Sequence, residues 1–134
     1  MIHDIDIRVY YEDTDAGGVV YHANYLNFME RGRTEALRQL GLSNSGLTRD
    51  EDMIFAVTHV DVRYRRPARL DDLLTVRSKL ITARGATLQF QQRIYRGETL
   101  LVEADITLAC ISTAGNPKRI PEVVLQRCKQ ELNT

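Results

Sequence analysis

Residues 11–22 read YEDTDAGGVVYH, with three carboxylates, Glu12, Asp13 and Asp15, followed by Gly17, Gly18 and His22. Three chemistries are open to such a stretch. Acidic and hydroxyl side chains ahead of a helix often cap its first amides or close a turn, so Asp-Thr-Asp before Ala-Gly-Gly can simply redirect the chain. Glu12, Asp13, Asp15 and His22 are also metal-ligand types. However, Glu12 and Asp13 are neighbours on an extended chain and point to opposite sides, and His22 has no His or Glu partner at helical ligand spacing. No metal site is therefore expected. The third possibility is catalytic. The first amides of a helix lack intrahelical acceptors, carry partial positive charge and polarise a carbonyl placed against them. Glycines let a ligand approach the backbone closely. A carboxylate facing that carbonyl can attack it or activate water. One Asp and one helix end are then enough for acyl transfer without a Ser-His-Asp triad.

These residues need elements to position them. Ile5, Ile7 and Val9 alternate with Asp6, Arg8 and Tyr10, which is strand periodicity. In NYLNFMERGRTEALRQLG the period changes: Tyr25, Phe28, Met29, Gly32, Ala36 and Leu40 share one helical face, with Arg31 and Glu35 paired on the wet side. Gly41 ends the helix, and Gly32 inside it suggests a strand passing close by. LSNSGLTRDED, residues 42–52, reads as a polar loop. Period-two alternation then returns through Val60, Val62 and Tyr64, until Pro67 stops the ladder. It continues through Leu74, Val76, Ser78 and Leu80, then Leu88, Phe90 and Ile94, then Leu100 to Cys110, with turns at Arg84-Gly85 and Arg96-Gly97-Glu98. Short turns make antiparallel meanders. A helix of about 18 residues is about 27 Å long, enough to cross such a sheet. The fold class is therefore α+β, an antiparallel sheet of about five strands around one long helix, with PEVVLQRCKQEL as a short final helix. The second sheet face, with Thr75, Thr87, Gln89, Gln91 and Thr107 beside Ile81 and Ile111, reads as only weakly charged. Exposed strand edges favour pairing with another copy.

The 134 residues fit one domain, 1–134, and 43% hydrophobic content excludes disorder. Lys plus Arg and Asp plus Glu number 18 each, so no global charge draws the chain to nucleic acid. No run reaches the ~20 apolar residues of a membrane helix, and the opening residues lack a basic-then-apolar leader. A cytoplasmic location is expected, with Cys110 and Cys128 as free thiols.

YEDTDAGGVVYHANYLNFMERGRTEALR resembles the 4-hydroxybenzoyl-CoA thioesterase family, and more narrowly its YbgC-like acyl-CoA thioesterase branch, associated with the bacterial Tol–Pal system. YRRPARLDD and RGATLQFQQRI resemble the same branch, so the likeness spans nearly the whole chain. The resemblance implies the hotdog fold, with sites at the interface of a homodimer or homotetramer. It places the catalytic Asp on Asp15 rather than Asp13, as nucleophile or general base, and the carbonyl-polarising backbone amide near His22. Gly17, Gly18, Val19 and Tyr21 then become substrate-binding candidates, with the glycines clearing space for the thioester. The His22 side chain either positions substrate or water, or contributes only its N–H. Tyr25, on the apolar helix face, is expected in the core, and His59 reads as a sheet histidine.

Arg63, Arg65, Arg66 and Arg69 form the densest basic cluster. It is either a solvated strand end or a clamp for coenzyme A phosphates or for an acidic acyl carrier protein; Arg65, Arg66 and Arg69 are the substrate-binding candidates. No cofactor is expected beyond the coenzyme A carried by the substrate. The resemblance implies hydrolysis of short-chain acyl-CoA or acyl-carrier-protein thioesters, linked to phospholipid metabolism at the inner face of the cell membrane. The competing reading is a non-catalytic acyl-binding or scaffold protein of the envelope.

Overall fold

The apolar positions that alternate along the chain also order the sheet. In the computed structural model, which describes residues 2–132, β1 (Ile2–Arg8), β2 (Ile54–Tyr64), β3 (Leu73–Arg84), β4 (Thr87–Arg96) and β5 (Thr99–Ile111) form one antiparallel sheet in the order β1-β3-β4-β5-β2. The expected turns join β3 to β4 and β4 to β5, with Gly85 and Gly97 at positive φ where side chains are disfavoured. The inner face buries Leu74, Val76, Leu80, Leu88, Phe90, Ile94, Val102, Ala104, Ile106, Leu108 and Cys110. The register slips between Ile94 and Tyr95, so Tyr95 pairs with Leu100 and Leu101 is extra. That bulge explains why Leu101 is fully buried where simple alternation points to Leu100.

Helix α1 (Asn24–Gln39) lies along β1 and β3 and buries Tyr25, Phe28, Met29, Gly32 and Ala36, as its periodicity requires, with Arg33 and Leu37 besides. Leu40 falls just past the helix and is only partly buried. Glu35 bonds Arg38 at 3.1 Å rather than the expected Arg31, whose guanidinium instead sits 6.0 Å from the centre of the Phe28 ring. Close approach at Gly32 is real: an added Cβ would lie 2.8 Å from Ser78 Oγ and 2.9 Å from Val76 Cγ1. Side chains of β3, rather than its backbone, fill that space. Ser78 belongs to a buried polar knot. Gln92, fully buried on β4, donates to Ser78 Oγ and to the Met29 carbonyl, each at 2.8 Å, and accepts from Arg33 at 3.0 Å. Burial lowers the Arg33 pKa.

Residues 42–52 are not a loop. Helix α2 (Asn44–Glu51) starts where the Ser43 hydroxyl accepts from the Gly46 N–H at 3.1 Å, and it is pinned by buried Leu47. The final helix, α3 (Glu122–Leu132), is present and buries Val124 and Cys128, whose thiol is pushed up to about 11 by burial. The outer sheet face is also more charged than expected. Asp4, Arg77, Arg93, Glu103 and Arg63 stand in register across all five strands, and Arg77 binds Asp4 at 2.9 Å.

Candidate active site

After β1 the chain makes a single 3-10 turn, Tyr11–Asp13, and buries the second of the turn's two acids. Asp13 Oδ2 accepts from the Tyr10 N–H at 2.8 Å, and Oδ1 accepts from the Asn24 side-chain amide at 2.6 Å. Its carboxylate thus ties the turn to the first residue of α1, while Glu12 points to solvent. The capping chemistry of this stretch therefore belongs to Asp13.

Asp15 is held differently. Its backbone pairs with Val19 and Gly18 (Asp15 N to Val19 O at 2.9 Å, Gly18 N to Asp15 O at 3.1 Å), and its Oδ1 accepts from the Gly17 N–H at 2.8 Å. Gly18 has φ +79° and closes this tight turn, and a Cβ on Gly17 would lie 3.2 Å from Asp15 Oδ1. The glycines thus shape the turn that presents the carboxylate, and neither lines the groove beside it.

That groove, ≈ 290 Å³, is bounded by Asp15, Val19 and His22 on one side and by Tyr64, Arg65, Arg66 and Pro67 on the other, with Val20 and Tyr25 also contributing. The two walls are locked together. Val20 N donates to the Ala68 carbonyl and Val19 bridges to Arg69, while Ala68 N donates to the Tyr25 hydroxyl at 2.9 Å. Tyr25 is in the core, as its helix face requires. Burial raises its pKa, with the Ala68 bond acting in the opposite sense. Asp72 secures the return: its Oδ2 accepts from the Arg69 N–H and from Arg96 Nη1, both at 2.9 Å.

Helix α1 begins at the groove without a side-chain cap. Among the described residues, no protein acceptor receives the N–H of His22. Asp15 and His22, whose N–H has no protein acceptor, thus line one cleft, and a carboxylate with a free amide is the pairing needed to add a nucleophile to a carbonyl. The His22 ring meets Tyr64 edge-on at 6.1 Å and Tyr21 at 4.7 Å. Tyr21 itself is half exposed and outside the groove.

The basic cluster divides. Arg65 lines the groove but pairs with Glu103 at 2.8 Å, which raises its pKa. Arg66 lines the groove with no ion-pair partner among the described residues. Arg69 contributes backbone bonds to the wall but does not line the groove, and Arg63 lies on the outer face beside Asp61 and Asp105. His59 is exposed on β2. No set of three or more His, Cys, Asp or Glu side chains among the described residues is placed to hold a metal. Tyr64, Val20 and Pro67 line the groove although none is among the expected substrate-binding residues. For Tyr64 the available signal was position, an aromatic at a strand end directly before the Arg65-Arg66-Pro67 corner.

One long helix wrapped by a five-stranded antiparallel sheet is the hotdog fold. Residues 9–128 match the family model described as the thioesterase-like superfamily, and the chain belongs to that family. Within it, the chain is 45% identical over 126 residues to the acyl-CoA thioester hydrolase YbgC of Escherichia coli O6:H1, covering 92% of this chain and 93% of that protein. It is 47% identical over 105 residues to the acyl-CoA thioesterase YbgC of Haemophilus influenzae, covering 78% and 77%. Among solved structures, a probable thioesterase from Bartonella henselae superposes with TM-score 0.87 at 42% identity, over 90% of this chain and 100% of that one. A hypothetical protein from Thermus thermophilus gives TM-score 0.92 at 28% identity, over 98% of both.

Proposed function

We propose that this protein hydrolyses acyl-CoA thioesters in the groove between the Asp15 turn and the end of β2. The observation that carries the reading is that Asp15 and His22, whose N–H has no protein acceptor, line one cleft. The thioester carbonyl oxygen accepts from the His22 N–H, so negative charge developing on that oxygen meets the helix entry. The Asp15 carboxylate then works in one of two balanced ways. As nucleophile it bonds to the carbonyl carbon, expels coenzyme A thiolate and leaves an anhydride that water cleaves. As general base it takes a proton from water, whose oxygen adds to the carbonyl before the thiolate leaves. Either way the products are a free acid and a thiol. Arg66, unpaired at the rim, is the first candidate for the substrate's phosphates, with Arg65 behind it. The open groove suits short acyl groups, carried on coenzyme A or on an acidic carrier protein that the same rim would hold. The site works in a homodimer formed along the free edge of β2.

The test is thiol release from acyl-CoA substrates of graded chain length, with Asp15→Asn as the comparison. Wild-type activity that falls about a thousandfold or more in a folded Asp15→Asn variant supports the reading. Equal activity in the two proteins removes Asp15 from the chemistry. A single turnover in ¹⁸O-water separates the two routes, because only the anhydride route can leave an Asp15 carboxylate oxygen in the first acid released.

A further inference from the structure

We propose that Tyr64 is a positioning residue for this reaction: its hydroxyl, by holding the His22 carbonyl, fixes the helix-entry peptides that meet the thioester oxygen. The inference rests on the placement of the reaction at Asp15 and His22. Tyr64 is the last residue of β2, and its hydroxyl donates to the His22 carbonyl at 3.1 Å. The bond joins two elements 42 residues apart, at the point where α1 begins. The Tyr64 ring also packs edge-on to His22 at 6.1 Å and tilted to Tyr25 at 5.7 Å, so three aromatic rings fix the approach of β2 to the helix entry.

Two physical consequences follow. The His22 carbonyl and the Ala23 N–H belong to one peptide unit, so a donor on that carbonyl polarises the N–H and orients the neighbouring His22 amide. In the single chain Tyr64 is 45% exposed, so water could serve its hydroxyl there. The hydroxyl nevertheless reaches the backbone of the candidate polarising segment. Partial burial raises its pKa further from neutral.

Tyr64→Phe removes the hydroxyl and keeps the ring. The variant is assayed for kcat and KM on a short-chain acyl-CoA and for its Tm. The carbonyl ¹³C shift of His22 and the amide shift of Ala23 are compared with those of the wild type. The expected result is a kcat lowered about three- to tenfold, the size of one neutral hydrogen bond. KM stays within about twofold, Tm within a few degrees, and the His22 and Ala23 resonances move. An unchanged kcat beside an inactive Asp15→Asn variant overturns the role of Tyr64 and leaves the site standing. A raised KM with unchanged kcat also overturns it, making Tyr64 a substrate contact. An active Asp15→Asn variant removes the site reading itself.

Discussion

Asp15 offers only one of its carboxylate oxygens to the protein, through the Gly17 N–H; Oδ2 has no protein donor among the described residues. A nucleophile or base must have such a free oxygen, whereas buried Asp13 has both oxygens bound. Residue types alone left these two acids in competing roles, because capping and catalysis use the same side chains at the same spacing. Only the resemblance to a family singled out Asp15. The rim arginines show the same limit. Four cations crowd residues 63–69, but strand alternation sends Arg63 to the outer face, and Glu103, 38 residues away, pairs with Arg65. Arg66 remains in the groove without an ion-pair partner. Arg66→Ala should therefore raise KM for an acyl-CoA about tenfold or more, the loss of one charge-assisted bond. The KM for the same acyl group on pantetheine, which lacks the nucleotide phosphates, should stay unchanged. Steady-state kinetics on the paired substrates reads both at once.

At the scale of elements, strands and α1 were legible because each carries a run of regular period, which the bulges at Val57/His59, Leu80/Thr82 and Ile94/Tyr95 interrupt only locally, while α2 was hidden by having Leu47 as its one buried residue. Gln92 was invisible for a related reason. It occupies an inward position of β4 where the pattern calls for an apolar residue, and its fit depends on Arg33, Met29 and Ser78 from other elements. Gly32 marks the same contact. Gly32→Ala gains roughly 1 kcal/mol of helix propensity, yet its Cβ would stand 2.8 Å from Ser78 Oγ and 3.1 Å from Gln92 Nε2. Overpacking of this kind costs about 1–3 kcal/mol, so the variant should melt several degrees lower despite the better helix former. The corner after β2 makes a second, pH-dependent prediction. Desolvation pushes the Asp72 pKa up, but bonds from the Arg69 N–H and from Arg96, with the charges of both arginines, outweigh it and leave the pKa below its usual value. A carboxylate whose folded pKa is depressed stabilises the fold above its unfolded pKa and loses that contribution as pH falls through the folded value. Asp72→Asn should therefore melt below the wild type at neutral pH. The gap should close as pH drops below the ordinary carboxylate range of about 4, read by thermal melts across pH.

For the whole molecule, the sheet ends on β2, a long edge strand whose charges, Asp61 and Arg63, stand only in its second half and whose register shifts between Val57 and His59. β2 runs eleven residues, from Ile54 to Tyr64, and Ile54, Val57 and Tyr64 expose large apolar surface along it. None of its residues is fully buried, unlike each of the strands from β3 to β5. Lone edges are normally short, charged or covered, because their unpaired N–H and C=O groups recruit other strands. A second copy pairing antiparallel along β2 would satisfy those groups and cover the apolar side chains in one contact, by a two-fold axis that closes the assembly. Tyr64 ends this strand and Arg65 and Arg66 follow it, so the edge runs into the groove, and pairing there should stiffen one of the groove's walls. Sedimentation at micromolar concentration should give twice the chain's 15.3 kDa. Val57→Lys, which puts a charge into the paired edge away from the groove, should shift the protein toward monomer and lower kcat/KM in parallel. Restored activity at higher protein concentration would tie the loss to dissociation. A fully active wild-type monomer would show instead that each chain carries a complete site and that the β2 edge is left open for some other purpose.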